Sequence, residues 1–302
     1  MKRVLISGAS GLVGGALSRR LAGTGYTVHK LARAGAPLAT GDVSWDPNSA
    51  TADVQAMEGF DAVVNLNGAS IAGKRWTPSR KAQLRASRVG TTRLLVDCLS
   101  MLQRKPSVLI SASGAGFYGD RGDEILTEES EGGADFLALL ARDWEAETRR
   151  AESAGIRTVM MRSGVIFSRH GGALEQMVRP FRMGLGGRLG SGRQWMPWIA
   201  IEDVVEIVRK IIEDDSLRGP INVVAPNPVR NSDFTKTLAR LLKRPAIFPA
   251  PAFALRLLLG EMGDVLLLSS QRAIPKKLAD AGYSFRFPDV EAALRHALGD
   301  SR

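Results

Sequence analysis

Cysteine is nearly absent. The 302-residue chain has one, Cys98, which excludes an internal disulfide and any cysteine cage for a metal. That usage fits a reducing compartment, so the cytoplasm is the expected location. Histidine is scarce too: His29, His170 and His296 are far apart, and no pair has the i, i+4 spacing of a helical metal site, so no metal is expected. Long apolar runs are missing. The N-terminal run is too short for a signal-peptide core, and the most apolar later stretch, residues 252–259, is interrupted by Arg256 and ends at Gly260, too short to span a bilayer. No membrane role is expected. Acidic charge is in deficit, with 31 Asp and Glu against 41 Lys and Arg for a net charge of +10. Such an excess suits polyanions. Its densest run, "RKAQLRASR" from Arg80 to Arg88, has a helical pattern without interleaved aromatics, and no nucleic-acid-binding motif accompanies it. Nucleic acid is therefore not an expected partner.

What is present is a regular alternation. The apolar runs at residues 3–7, 26–32, 61–66, 107–112, 156–161 and 221–225 read as strands, and helical periods separate them, among them 78–102 and 134–153. Strands joined through helices make parallel crossovers, and continuous apolar runs mark strands covered on both faces. The fold class is α/β, a doubly wound parallel sheet. Residues 1–165 form its nucleotide-binding core, completed by about 196–225. Residues 166–195 and 226–302, richer in Gly, Arg and Pro, form a smaller, mostly helical substrate lobe.

The first loop carries the clearest chemistry. In "SGASGLVGG", Gly8, Gly11 and Gly14 follow a strand and open a helix. Gly8 permits a tight turn, Gly11 lets the backbone approach a pyrophosphate, and Gly14 lets helix and strand pack closely. The amides of the loop and of Leu12 and Val13, with the helix dipole, bind the anion. This is the dinucleotide-binding signature of a Rossmann sheet. The second strand ends "HKLARAG" with no acid before Asp42, where an NAD reader places a carboxylate for the ribose 2′-hydroxyl. Arg33 is placed for a 2′-phosphate and Ser10 adds a hydroxyl, so the cofactor expected is NADP.

Further stretches carry a resemblance. "GASGLVG", "NLNGASIAGKRW", "ISASGAGFYGD", "MRSGVIFS" and "WIAIEDVV", in this order, resemble the extended and atypical short-chain dehydrogenase/reductases. The nearer likeness is to a bacterial epimerase-family subgroup with a small C-terminal domain of unknown function. The resemblance spans almost the whole chain. It implies that Asn65, Asn67, Gly68 and Ala69 lie on the cofactor side of a strand end, that Ser111 and Ser113 occupy the region of the catalytic serine, and that Arg162 and Ser163 lie near the nicotinamide. It also implies a small-molecule substrate, anionic or a nucleotide sugar, and a homodimer.

The same resemblance exposes a departure. Active members use a Tyr-x-x-x-Lys pair on the helix after the serine strand; here that helix reads "ADFLALLARDWEAE", with Phe136 in the place of tyrosine and Leu140 in that of lysine. Neither can move a proton. Tyr118 and Lys74 are the candidate substitutes, and Arg75, Trp76, Arg193 and Trp198 are candidate substrate contacts. Glu145 and Asp143 read as surface or capping residues. Two functions follow: an NADP-dependent oxidoreductase or nucleotide-sugar-epimerase-like enzyme, or a catalytically silent NADPH-binding regulator. The missing pair favours the second; a serine-rich strand end under an Arg/Trp-rich loop favours the first.

Overall fold

Each of the six apolar runs becomes a strand of one sheet. The computed structural model describes residues 1–47 and 49–299, so residues 300–302 of the expected second lobe lie outside the described residues. The strands are β1 (Lys2–Ser7), β2 (Tyr26–Arg33), β3 (Val43–Asp46), β4 (Thr51–Ala52), β5 (Ala62–Asn65), β6 (Val108–Gly114), β7 (Ile125–Leu126), β8 (Arg157–Ser163), β9 (Val165–Phe167), β10 (Trp195–Met196), β11 (Trp198–Ala200), β12 (Gly219–Val223), β13 (Val229–Arg230) and β14 (Arg272–Ala273). The helices are α1 (Leu12–Ala22), α2 (Pro78–Arg85), α3 (Thr91–Met101), α4 (Phe136–Arg149), α5 (Ala173–Arg182), α6 (Ile201–Glu213), α7 (Asn231–Leu242), α8 (Ala252–Leu259), α9 (Glu261–Gly263), α10 (Lys276–Asp280) and α11 (Val290–Leu298).

Eight strands form the main sheet in the order β12-β8-β6-β5-β1-β2-β3-β4. Every pairing is parallel except β3 with β4. One face is covered by α1 and α6, where Leu17, Leu21, Ile207 and Ile211 pack on Val4, Ile6, Val64, Ile110 and Val159. The other is covered by α3, where Leu95, Val96 and Leu99 meet Leu5, Val63 and Leu109. Burial on both faces is why these strands are continuous Val/Ile/Leu runs. A separate core of Phe167, Phe181, Trp198, Phe234 and Leu294 joins α5, α7 and α11 beyond the sheet.

The expected helix 78–102 is continuous in direction but holds a π-helical turn over 86–90, and the expected helix 134–153 ends at Arg149 and runs on as a 3-10 turn. The last strand starts two residues earlier than the apolar run suggests, at Gly219. Strand order reverses direction at β1, which has β2 on one side and β5 on the other. Open α/β sheets bind ligands in the crevice at that point, outside the carboxyl ends of the strands.

Candidate active site

A cavity of about 720 Å³ opens there. Gly8, Gly11, Leu12, Val13 and Gly14 form one end, and the far walls come from the strand ends, α4 and the 189–197 and 265–271 segments. The glycines are required by backbone geometry. Gly8 has φ +71°, and a Cβ there would stand 2.8 Å from the Leu66 carbonyl oxygen. A Cβ on Gly14 would stand 2.3 Å from the Gly8 carbonyl oxygen, so no side chain fits without displacing the loop. Gly11 caps α1 with extended backbone, and no side chain caps the helix. Its first-turn amides are therefore open to an anion, helped by the helix dipole. This cradle fits a dinucleotide pyrophosphate.

Parallel register aligns the strand ends into two rows. In the first, Ser7 pairs with Asn65 and Asn65 with Ser111. Ser7 Oγ donates to Asn65 Oδ1 at 2.8 Å, and Asn65 Nδ2 donates to Thr92 Oγ1 at 2.8 Å and Ser111 Oγ at 3.4 Å. All three strand residues are fully buried. Asn65 and Ser111 thus brace the floor, while Asn67 and Gly68 beyond them line the cavity. In the second row, Ser113 pairs with Arg162 and Arg162 with Asn222. Ser113 lines the cavity and its Oγ donates to Glu145 Oε1 at 2.8 Å. Arg162 Nε and Nη2 donate to Glu145 Oε1 and Oε2, each at 2.8 Å, and both side chains are 2 % exposed. The Arg162 guanidinium also lies 3.5 Å from the centroid of Phe117. Burial works against its charge, but the Glu145 carboxylate outweighs this and holds its pKa above the ordinary value.

The α4 face bordering the cavity is Leu137, Leu140, Ala141 and Trp144. Phe136 turns away and meets Trp76 edge-on, centroids 5.1 Å apart. Against α4 stands Arg88, carried on the π turn, its guanidinium 5.4 Å from the centroid of Trp144. It is 6 % exposed, lines the cavity, and donates to the carbonyls of Ala69 at 2.9 Å and Leu84 at 3.3 Å. Burial, with Arg80 adding to it, pushes its pKa down to about 10. Among the described residues, Arg88 is the only ionisable side chain on the cavity wall.

Comparison with known proteins places this arrangement. Residues 4–224 match the model of the NAD dependent epimerase/dehydratase family. The chain belongs to that family. Residues 250–297 match a domain of unknown function. The epimerase family protein Mb2239 of Mycobacterium bovis is 41% identical over 294 residues, 97% of each chain. Among solved structures, the human epimerase family protein SDR39U1, crystallised with NADPH, superimposes with a TM-score of 0.90 at 33% identity over 99% of both chains. A nucleoside-diphosphate sugar epimerase from Corynebacterium glutamicum has a TM-score of 0.82 at 39% identity; the match covers 99% of this chain and 58% of that one.

Within this family fold, several residues singled out from sequence lie elsewhere. Tyr118 is fully buried outside the cavity wall: the 3-10 turn at 115–118 directs it toward β12, where its hydroxyl donates to Asn222 Oδ1 at 2.6 Å and meets the Thr127 carbonyl oxygen at 2.9 Å. Burial raises its pKa despite the lowering influence of Arg162. It has no access to a substrate; Phe117, its neighbour, forms the wall. Trp198 is also fully buried, stacked on Phe167 at 5.3 Å with its indole donating to the Asn227 carbonyl. Trp195 takes the cavity position expected of it. Trp76 is packed behind the wall and donates to the Ile71 carbonyl. Arg193 is exposed beside Gln194, the cavity residue of that loop. Lys74 and Arg75 are exposed on their loop, and Arg75 folds against Gly260 rather than into the cavity. Arg162 reaches the site only through Glu145, whereas Ser163 lines the wall. Ala69 contributes its carbonyl to Arg88. Ser10 lies in a shallow hollow outside, with Arg19 and His170, and Arg33 is exposed at the end of β2.

Asp143 sits on the surface as expected, paired with Arg85. Glu145 does not, and it and Arg88 are the functional candidates that sequence reasoning misses. Helical spacing held the signal: Glu145 follows Ala138 and Ala141 on the buried stripe of α4, and Arg88 falls between buried Leu84 and Thr92.

Proposed function

We propose that this protein is an NADP-dependent oxidoreductase acting on a small carbonyl or alcohol substrate. The observation that carries the reading is a single cavity running from the glycine loop to Ser113. The amides of Leu12 and Val13 hold the pyrophosphate, and Asn67, Gly68 and Ser163 flank the cofactor. NADPH, when bound, supplies a hydride at its nicotinamide ring, and its oxidised form accepts one. Ser113 supplies the polar contact at the reacting oxygen. Its proton lies on the hydrogen bond to Glu145, so its lone pairs accept a bond from a substrate alcohol; rotation about its Cβ–Oγ bond lets it donate to a carbonyl. Glu145, fixed by Arg162, positions that hydroxyl. With no acid or base other than Arg88 on the wall, the proton that accompanies the hydride is relayed by the Ser113 hydroxyl: it passes to the reacting oxygen on reduction and is replaced from solvent in the open cavity, and it leaves by the same route on oxidation, in place of the family's Tyr-Lys pair. Oxidation and re-reduction of one carbon on opposite faces would give epimerisation by the same machinery.

The choice of NADP rests on the β2 end. Asp42, the first acid after the strand, is engaged by the amides of Lys30 at 2.7 Å and Ala39 at 3.0 Å, which leaves Arg33 and Ser10 to meet the ribose substituent. Titration of the protein with NADPH and NADH tests this. NADPH binds more tightly, and Arg33→Ala weakens NADPH by roughly tenfold or more while leaving NADH nearly unchanged; equal loss for both cofactors contradicts it. The activity itself is read as NADPH oxidation across a panel of carbonyl compounds. Tight NADPH binding without turnover would support the silent regulator instead.

A further inference from the structure

The cavity's charge census narrows the substrate, taking the oxidoreductase reading as given. In that reading the cofactor's anionic groups have their own partners: the pyrophosphate takes the open amides at the first turn of α1, and the 2′-phosphate takes Ser10, in the hollow outside this cavity, and the exposed Arg33. Arg88 is left. It is a buried cation with no carboxylate partner among the described residues: its hydrogen bonds go to backbone carbonyls and Ser87, and its guanidinium lies 5.4 Å from the centroid of Trp144. A guanidinium in that state seeks an anion, and one cation accommodates one anionic group. Trp144 lies under the guanidinium, and Leu137, Leu140, Met196 and Val265 add apolar wall to the same cavity. Arg230 and Arg272 do not line the cavity; both stack on Trp195 with centroid distances of 4.6 Å, and Arg230 is paired with Asp123. A nucleotide sugar brings a second diphosphate with two negative charges, for which Arg88 is the one cation on this wall among the described residues. Gln194 Nε2 already donates to the Leu189 and Leu267 carbonyls, and Asn231 Oδ1 accepts from the Leu189 amide.

The geometry points to an apolar oxo acid, or the corresponding hydroxy acid, as the substrate class, with its single carboxylate on Arg88 and its apolar body against α4, and not to a nucleotide sugar. Binding to the NADPH-loaded protein tests this without requiring turnover. The probes are phenylpyruvate, its uncharged counterpart 1-phenyl-2-propanone, and UDP-glucose, each measured by calorimetry. Phenylpyruvate binds on the order of tenfold more tightly than the ketone, and UDP-glucose gives no heat at millimolar concentration. Arg88→Met removes the preference for the acid over the ketone and leaves the NADPH affinity within about threefold of the parent. Three results would overturn the assignment: tighter binding of UDP-glucose than of phenylpyruvate; equal binding, or no binding, of acid and ketone; or an Arg88→Met protein that loses NADPH affinity while keeping the acid preference, which would give the cation to the cofactor. If Arg88→Met fails to fold, the ligand ranking on the parent protein decides alone. Binding of phenylpyruvate without hydride transfer supports this inference and contradicts the proposed oxidoreductase, so the two fail separately.

Discussion

Replacing Glu145 by leucine lowers the stability of this protein by about 3–5 kcal/mol, a loss of roughly 5–8 °C in melting temperature for a chain of this size. The leucine is not the cause, since α4 is already apolar on that face. The cause is Arg162, which keeps its charge in a position 2 % exposed and loses both hydrogen bonds from Nε and Nη2. Phe117 at 3.5 Å and the Tyr118 hydroxyl at 3.1 Å remain, but neither carries a formal negative charge. The double variant Glu145→Leu/Arg162→Met recovers most of the loss, because removing both ions of a buried pair leaves no uncompensated charge. Thermal and urea denaturation of the two single variants and the double variant check this. Additive losses would show that the two residues act separately.

Ser113→Ala lowers the turnover number for a carbonyl substrate on the order of a hundredfold, with NADPH affinity unchanged within about threefold. Ser113 is the strand-end hydroxyl that meets both the cavity and the Glu145 carboxylate, so its loss removes the hydrogen bond to the reacting oxygen. Ser111→Ala is the comparison. That hydroxyl is fully buried beside Asn65, and its removal affects stability by about 1 kcal/mol and the rate little. Equal rate losses in the two variants would reassign the serine row to structure alone.

The sheet and the glycine loop were legible in sequence because both depend on local chemistry. Continuous Val/Ile/Leu runs become central parallel strands wherever helices cover both faces, and the Gly8 and Gly14 positions tolerate no Cβ. The strand β3 was not legible: "VSWD" is short and alternates, and it lies next to β4, the two-residue strand at the edge of the sheet. In the site, closeness in sequence misled. Tyr118 and Trp198 adjoin cavity segments, but the 3-10 turn at 115–118 and the strand β11 send these side chains into the core, while Phe117 and Trp195 line the cavity. Charge misled in the opposite direction. Arg88 and Glu145 look like solvated helix residues until their i, i+4 neighbours are seen to be buried, and only the tertiary arrangement brings Glu145 to Arg162 across β6 and β8.

The most direct test of the account is a crystal structure of the protein grown with saturating NADPH. The account predicts the pyrophosphate on the amides of Leu12 and Val13, the 2′-phosphate at Arg33, and the nicotinamide ring inside the cavity within about 4 Å of Ser113. A nicotinamide ring lying outside the cavity, or a glycine loop without bound phosphate at that concentration, would contradict it.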